Sequence, residues 1–243
     1  MKNSLSVFAF FIIIQSSIAQ SVIIEEDIAA DTIPATKGPN LNQYSHLYVG
    51  FGLIVGPIEG SGVNLLHQNS TNFQAGYRFK RRISRINDVG FDLYYGVTSF
   101  RLRQETGKTF PTPGLYEREK INFSQVGLNL YHRFNFGRRG NIIRNFIDIG
   151  AWGQYEFMTK HVSFQRHTAP NNQFARKTRV ASRDLDYANT LNYGVQARIG
   201  IRRYSIYGLY RISDIIRDTY KGDPFNFPEL PRLIVGLQIG LHG

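Results

Sequence analysis

Apolar and polar residues alternate with a period of two in eight separate segments of this chain. In the first segment, Leu47, Val49 and Phe51 fall on one side of an extended chain, whereas Tyr48 and Gly50 fall on the other. A period of two is that of a β-strand with one apolar and one polar face. The sequence therefore predicts an all-β fold with eight strands. The segments cover residues 47–55, 73–79, 89–97, 125–136, 147–157, 191–201, 204–212 and 233–241.

Two of the segments have an irregular phase. Ile121 and Phe123 lie just before the fourth segment but fall on its polar side, which predicts either a β-bulge near Ser124 or a strand end that packs inward. The seventh segment can be read in either phase. The phase that keeps Arg211 off the apolar face places Ile212 on that face, and we prefer it because an arginine is costly among apolar groups.

The N-terminus has the features of an export signal. Lys2 is followed by an apolar run at residues 7–14, and Ser17-Ile18-Ala19 before Gln20 is a small-residue cleavage pattern. The stretch that follows contains acids, prolines and few large apolar residues, and it predicts a lead-in without a core of its own. We expect a signal peptide at residues 1–19, a periplasmic lead-in at residues 20–44 and a barrel at residues 45–243.

No stretch of the chain approaches the roughly 18 to 20 apolar residues that a transmembrane helix needs. Any membrane insertion must therefore use strands, and these must close into a barrel because lipid offers no partner to an unpaired strand edge. The sequence predicts an eight-stranded antiparallel up-and-down transmembrane β-barrel, with short turns in the periplasm and long loops outside. The short connections lie near residues 81–88, 137–141 and 202–203, and the long ones near 57–68, 102–118, 158–183 and 213–228.

A soluble β-sandwich or a lipocalin-like barrel would also show a period of two. In either of these, the apolar face would form the interior and the polar face would meet water. The chain contains 23 glycines and 14% aromatic residues. The glycines concentrate on the polar faces, the large aromatics lie at the ends of the apolar faces, and the polar faces carry few Lys or Glu. These features favour the membrane barrel.

Four stretches resemble the eight-stranded, porin-like outer-membrane β-barrel family common in Bacteroidetes-type bacteria. They are the glycine-containing strand LYVGFGL, the repeats VGFDLYYG and NFIDIGAWG, and the ending PELPRLIVGLQIGL, at residues 47–53, 89–96, 145–153 and 228–241. The last strand is also similar to the signal read by barrel-insertion machinery, although it ends in His242-Gly243 instead of an aromatic residue. The resemblance implies an outer-membrane protein of a Gram-negative bacterium.

Five charged residues fall on the inward side of the predicted strands. An eight-stranded barrel is only wide enough for its own side chains, and opposite charges inside it should pair. The expected role of such a network is a polar plug that holds the barrel, and the alternative is a proton or ion path. The five residues are Arg78, Asp92, Arg133, Asp148 and Arg198.

One predicted extracellular connection is strongly basic. Between residues 158 and 183 it contains no acid, so it predicts either a site for the phosphates of lipopolysaccharide or another acidic ligand, or simply a solvated cationic loop. The residues selected for a site are Lys160, Arg166, Arg176, Lys177 and Arg179.

The predicted periplasmic turns are basic as well, and the whole chain has a formal net charge of +11. This charge predicts attraction to anionic surfaces, but no nucleic-acid-binding module is recognisable, so nucleic acid is not an expected partner. The rim is expected to dock an acidic periplasmic protein or anionic lipid headgroups, or to be merely solvated. Its residues are Arg81, Arg82, Arg138, Arg139, Arg202 and Arg203.

Signals for catalysis are weak. His161 and Ser163 match the His-x-Ser spacing of outer-membrane lipid A deacylases, but Phe164 stands where that family has Asn, and no orienting Glu is evident. The chain has no cysteine, no HExxH motif and no glycine-rich phosphate loop. We therefore expect no catalytic residue, metal or cofactor, and a non-enzymatic structural or interaction module of the cell envelope. The alternatives are a barrel that binds lipopolysaccharide or a small molecule through its long loops, and a lipid A-modifying enzyme.

Overall fold

The computed structural model describes residues 37–60, 62–137, 142–166 and 177–241. The predicted signal peptide, and the lead-in as far as residue 36, lie outside the described residues. Within the described ranges the chain forms nine strands and two short 3-10 helices, at His67–Asn69 and Asp218–Tyr220. No helix in those ranges is long and apolar enough to cross a membrane. The strands are β1 Gln43–Val55, β2 Thr71–Arg82, β3 Asn87–Leu102, β4 Arg118–Phe136, β5 Asn145–Arg166, β6 Lys177–Arg183, β7 Leu191–Ile201, β8 Tyr204–Arg211 and β9 Leu233–Leu241.

Eight of these strands form a closed ring. β1 pairs antiparallel with β2, β2 with β3, β3 with β4 and β4 with β5. β5 then pairs antiparallel with β7, β7 with β8 and β8 with β9. The ring closes because β9 pairs with β1, from Leu47 opposite Leu241 to Val55 opposite Leu233. The predicted all-β class and the antiparallel ring of eight strands are confirmed. Every backbone edge of the eight is thereby paired along most of its length, as a closed sheet requires.

The ninth strand, β6, corrects one expectation. The connection at residues 158–183 was expected to be a long loop, but β5 continues to Arg166 and β6 returns along it from Lys177 to Arg183. The hairpin contains Val162, Thr178 and Val180, whose branched side chains favour extended backbone. It extends the sheet beyond the ring on the side of the long connections.

The two faces of the ring differ in the way the alternation predicts. On β4, Leu128 and Leu130 are 44% and 58% exposed on the outside, whereas Asn129 and Arg133 are 1% exposed inside. On β8, Arg211 points inward and Ile212, just beyond the strand, is half exposed, which confirms the preferred phase. The ring therefore carries a continuous apolar belt on its outside and polar side chains in its lumen.

The irregularity near Ser124 lies on the neighbouring strand. Ser124 pairs with Met158 and Gln125 pairs with Glu156, so Phe157 on β5 is the additional residue. The strand β4 keeps a single phase, and its Ile121 is fully buried on the inner side. The inward-packed strand end is thus the correct alternative, and the bulge shifts the phase of β5 instead.

The ring is closed at the end of the long connections by an apolar cap. Its buried side chains come from strand ends and from the connections, and they pack into one cluster above the polar lumen. Phe110, for example, lies against the rings of Tyr187 and Phe227, with centroids 5.5 and 4.9 Å away. The buried members are Ile54, Val63, Leu65, Phe100, Leu102, Phe110, Ile121, Phe123, Ala188, Ile215, Ile216 and Leu230.

Candidate functional site

The five charged residues selected for the lumen lie together in one buried ion network. Register places Arg78 opposite Asp92, and Asp148 opposite both Arg133 and Arg198. Arg78 Nε donates to Asp92 Oδ1 at 2.8 Å, and Arg133 Nε donates to Asp148 Oδ1 at 2.7 Å. Arg198 joins the two pairs, because its Nη1 donates to Asp92 Oδ2 at 2.7 Å and its Nε to Asp148 Oδ2 at 2.8 Å. The network spans five strands.

The network holds three guanidinium groups and only two carboxylates, and neutral groups complete it. Gln238 Oε1 accepts from Arg78 Nη2 at 2.8 Å and from Arg198 Nη1 at 3.3 Å. The ring of Tyr48 lies 4.3 Å from the guanidinium carbon of Arg78, and that of Phe146 lies 3.7 Å from the guanidinium carbon of Arg133. Carbonyl oxygens and ring faces both attract cations, so they offset the surplus positive charge. Gln238 was not among the residues that the sequence selected for the network.

The lumen above the network is also filled with hydrogen-bonded polar side chains. Gln154 Nε2 and Asn192 Nδ2 donate to Glu156 Oε1 at 2.7 and 3.3 Å. The single tryptophan, Trp152, donates from Nε1 to the carbonyl oxygen of Val195 at 3.0 Å. A cavity of about 20 Å³ remains between this layer and the cap. That is room for about one water molecule, so this cavity does not hold an organic ligand.

An ion pair holds the two ends of the connection between β8 and β9 together at the cap. Arg211 Nη1 donates to Glu229 Oε1 at 2.6 Å, and the two carboxylate oxygens of Glu229 accept the backbone N–H groups of Ile215 and Ile216 at 2.8 and 3.1 Å. These bonds satisfy a carboxylate that the cap buries almost completely. They fix the chain after β8 against the chain before β9.

Arg232 joins two further carboxylates at the outer surface of the cap. Its Nε donates to Glu59 Oε1 at 2.8 Å and its Nη2 donates to Asp214 Oδ1 at 2.6 Å. The hydrogen bond from Arg232 lowers the pKa of Glu59. Burial raises the pKa of Asp214, but the hydrogen bonds from Lys221 and Arg232 outweigh it, and the net shift is downward. Charge-assisted hydrogen bonds thus join the connection between β1 and β2 to the connection between β8 and β9.

The His-x-Ser pair has a carboxylate neighbour that the sequence did not reveal. Glu119 on β4 accepts from His161 Nε2, with its Oε1 2.7 Å away, while its Oε2 lies 2.8 Å from both Lys108 Nζ and Gln104 Nε2. In the described part of the chain, Ser163 makes no hydrogen bond to His161. Glu119 therefore joins the connection between β3 and β4, through Lys108 and Gln104, to His161 on β5.

The basic residues selected for the short-turn end divide into two groups. Arg81, Arg202 and Arg203 are exposed there. Arg82 has a local structural role instead, because its Nε and Nη1 donate to the carbonyl oxygens of Ser84 and Asn40, each at 3.1 Å. Arg138 and Arg139 lie outside the described residues.

The basic residues selected for the connection at residues 158–183 lie on the β5–β6 hairpin, with Arg176 outside the described residues. Lys177 and Arg179 are exposed on β6, and Lys160 and Arg166 on β5 are partly and largely exposed. Arg166 Nη2 lies 3.2 Å from Glu117 Oε1. The four cations therefore lie on a β-hairpin and not on a loop.

No group of three or more His, Cys, Asp or Glu side chains that could hold a metal ion occurs among the described residues. Fold and site together define a ring of eight antiparallel strands with a polar, filled lumen and an apolar exterior. No protein-family model matches the chain, and a search of curated proteins finds no match to it.

Proposed function

We propose that this chain is an up-and-down transmembrane β-barrel of a Gram-negative outer membrane that acts as a non-enzymatic structural or interaction module of the cell envelope. The observation that carries the proposal is the contrast between faces: large apolar side chains are exposed around the outside of the ring, while arginines and carboxylates are buried inside. A soluble protein would expose the second set and bury the first.

The dimensions of the apolar belt support the proposal. β7 alternates without interruption over 11 residues, with every outward side chain exposed and every inward one buried. At about 3.3 Å per residue and a tilt of about 40 to 45°, such a strand covers roughly 25 Å, which is the height of the apolar band in outer-membrane barrels. The short turns then face the periplasm and the long connections face outward.

The filled lumen favours a role through contacts over a role in transport. The ion network crosses the barrel near the short-turn end, and the apolar cap closes the other end. A solute would have to break both layers to pass. The two ends and the outer face remain for interaction with partners.

The short-turn end offers a docking surface for an acidic periplasmic protein. Arg81, Arg202 and Arg203 are exposed there and belong to two different turns. Clustered charges on a rim increase the rate and the specificity of association with a partner of opposite charge. Reversing the charge at these three positions is expected to release a co-purifying acidic partner without changing barrel stability.

The membrane part of the proposal is tested by fractionation followed by gel migration with and without boiling. We expect the protein in the outer-membrane fraction, with a band that shifts on heating, because a closed transmembrane barrel resists detergent until it is heated. The closed lumen is tested by ion conductance across planar bilayers, where we expect no steady current. A soluble, unshifted protein would contradict the membrane assignment, and a steady open current would contradict the closed lumen.

A further inference from the structure

The outer face of the sheet above the apolar belt is lined by cations. On β3 and β4 the side chains between the outward positions are buried in the cap, among them Phe100 and Ile121, so Arg101, Arg118 and Lys120 project outward. On the hairpin, Arg179 lies over the ring of Phe164 at 5.4 Å, which places both on one side of the sheet. Cross-strand partners share a face, so register adds Arg183 to the side of Lys160. We call this surface the cationic wall; it comprises Arg101, Arg118, Lys120, Lys160, Arg179 and Arg183.

The cationic wall brings like charges directly opposite one another. Register pairs Arg101 with Lys120 and Lys160 with Arg183. Like charges directly opposite in a sheet are destabilising. In the lumen, by contrast, opposite charges face each other, because Arg78 and Arg133 each lie opposite an aspartate.

The described residues supply almost no anion to this surface. None of the six cations of the wall has a carboxylate within ion-pair distance among those residues, and at its margin Arg166 pairs with Glu117. The ten residues that join β5 to β6, HTAPNNQFAR at 167–176, contain no Asp or Glu either. The charges of the wall therefore lack a counter-ion within this part of the protein, and an external anion would relieve their repulsion.

The position of the wall indicates where that anion comes from. Tyr95 and Phe157, with ring centroids 6.1 Å apart, mark the upper edge of the apolar belt. Aromatic residues at such an edge lie at the level of lipid headgroups. Lys160 and Arg183 form the row that begins three residues beyond Phe157, about 10 Å further along the strand. The first cations of the wall thus stand at the height of headgroup phosphates, facing the lipid.

We propose that the cationic wall binds the phosphate groups of phosphorylated lipids in the outer leaflet, with the diphosphorylated lipid of lipopolysaccharide as the matching class. The inference rests on the proposed membrane barrel and names a partner for it. Guanidinium and ammonium groups on adjacent strands, each pointing outward, suit an array of lipid phosphates better than a single soluble ligand. The surface is a wall beside the bilayer, and no enclosed pocket is needed.

The test uses the full-length protein in nanodiscs of phosphatidylcholine, with or without diphosphorylated lipid A. The variant Lys160→Gln/Arg183→Gln removes one like-charge pair of the wall. As a matched control, Arg85→Gln/Arg144→Gln removes the same charge from two exposed arginines at the opposite end that are not part of the docking surface. We expect lipid A to raise the thermal midpoint of the wild type and of the control equally. The wall variant should lose at least half of that rise, while its midpoint in phosphatidylcholine alone is unchanged or higher. Native mass spectrometry should show that the wild type and the control retain equal amounts of lipid A and that the wall variant retains less.

Three outcomes would overturn the inference. The first is that lipid A raises the thermal midpoint of the wall variant and of the wild type equally. The second is that lipid A does not raise the midpoint of the wild type although its gel band still shifts on heating; the barrel proposal would then stand. The third is a full rise with millimolar inorganic phosphate, or with an acidic polysaccharide, in place of lipid A, which would make the wall a site for soluble anions. Loss of the heat-dependent shift itself would instead contradict the barrel and, with it, this assignment.

Discussion

Asp148 on β5 receives two hydrogen bonds from one arginine of the neighbouring strand: Arg133 Nε donates to Oδ1 at 2.7 Å and Nη2 donates to Oδ2 at 2.8 Å. Both side chains are buried in the lumen, and Arg198 occupies the remaining approach to the same carboxylate. Such a bidentate pair is rigid as well as strong. It fixes three adjacent strands of the ring from the inside.

The replacement Asp148→Asn should therefore destabilise the barrel strongly. It leaves Arg133 and Arg198 buried with one carboxylate fewer between them, and breaking a buried ion pair on one side costs about 3 to 5 kcal/mol. The measurement is urea unfolding in lipid vesicles, followed by the fluorescence of Trp152 in the lumen. As a control, Arg166→Gln removes an exposed ion pair with Glu117 and should change the free energy of unfolding by less than about 1 kcal/mol. Equal effects of the two replacements would refute the structural role of the network.

Two glycines on the same strand give a second matched pair. An added Cβ at Gly150 would meet the backbone carbonyl oxygen of Leu130, whereas an added Cβ at Gly153 meets nothing within 4 Å. Backbone cannot move aside as a flexible side chain can, so Gly150→Ala should cost about 1 to 3 kcal/mol. Gly153→Ala should stay within about 0.5 kcal/mol of the wild type in the same urea unfolding experiment. If both replacements were tolerated alike, close packing of the inner wall would not require glycine at residue 150.

The cap should loosen in acid. The hydrogen bond from Arg232 lowers the pKa of Glu59, and hydrogen bonds from Lys221 and Arg232 outweigh burial and lower the pKa of Asp214. Both pKa values are therefore lower in the folded protein than in the unfolded chain. A lowered carboxyl pKa contributes stability that is present above the unfolded value of about 4 and is lost as the pH falls through the folded value. We expect the thermal midpoint to decrease as the pH is lowered from about 5 towards 3.

Replacing Arg232 should remove part of this pH dependence. Arg232→Gln deletes the donor to Glu59 and one of the two donors to Asp214, so its thermal midpoint should be lower than that of the wild type at neutral pH and should converge with it in acid. Arg103→Gln, which removes an exposed pair with Glu105, serves as the control and should follow the wild type. A constant difference between Arg232→Gln and the wild type at every pH would mean that the contacts of Arg232 do not depend on carboxylate ionisation.

The ring was predictable from sequence because strand alternation is a local property. A side chain such as Arg198 or Asp92 has its direction fixed by its apolar neighbours on the same strand, and pairing of successive strands then brings the charges together. The same reasoning assigned the inward phase of Arg211. The five strands that carry the lumen network have a clear polar side around its charged residues, and this was sufficient to predict the network from the sequence.

The cap and the hairpin were not predictable in this way. Phe110 and Leu230 lie in long connections without a period, and only tertiary packing brings them to the same cluster. Glu119 and His161 are 42 residues apart in the chain and meet because a bulge at Phe157 changes the phase of β5. A single sequence carries no signal for a bulge on the partner strand. The alternation on β5 is interrupted at this bulge, so the basic residues around 160 and 180 were expected in a loop.

Site-directed labelling tests the central claim, that the exposed apolar belt faces lipid. The chain contains no cysteine, so single replacements such as Leu93→Cys and Leu128→Cys accept one fluorophore each, with Arg81→Cys and Arg179→Cys as references outside the belt. In lipid vesicles, the labels at residues 93 and 128 should be quenched by a lipid-attached quencher and shielded from a water-soluble one, whereas the reference labels should respond to the water-soluble quencher. Quenching of the belt labels by the water-soluble compound to the same extent as the references would contradict the membrane barrel.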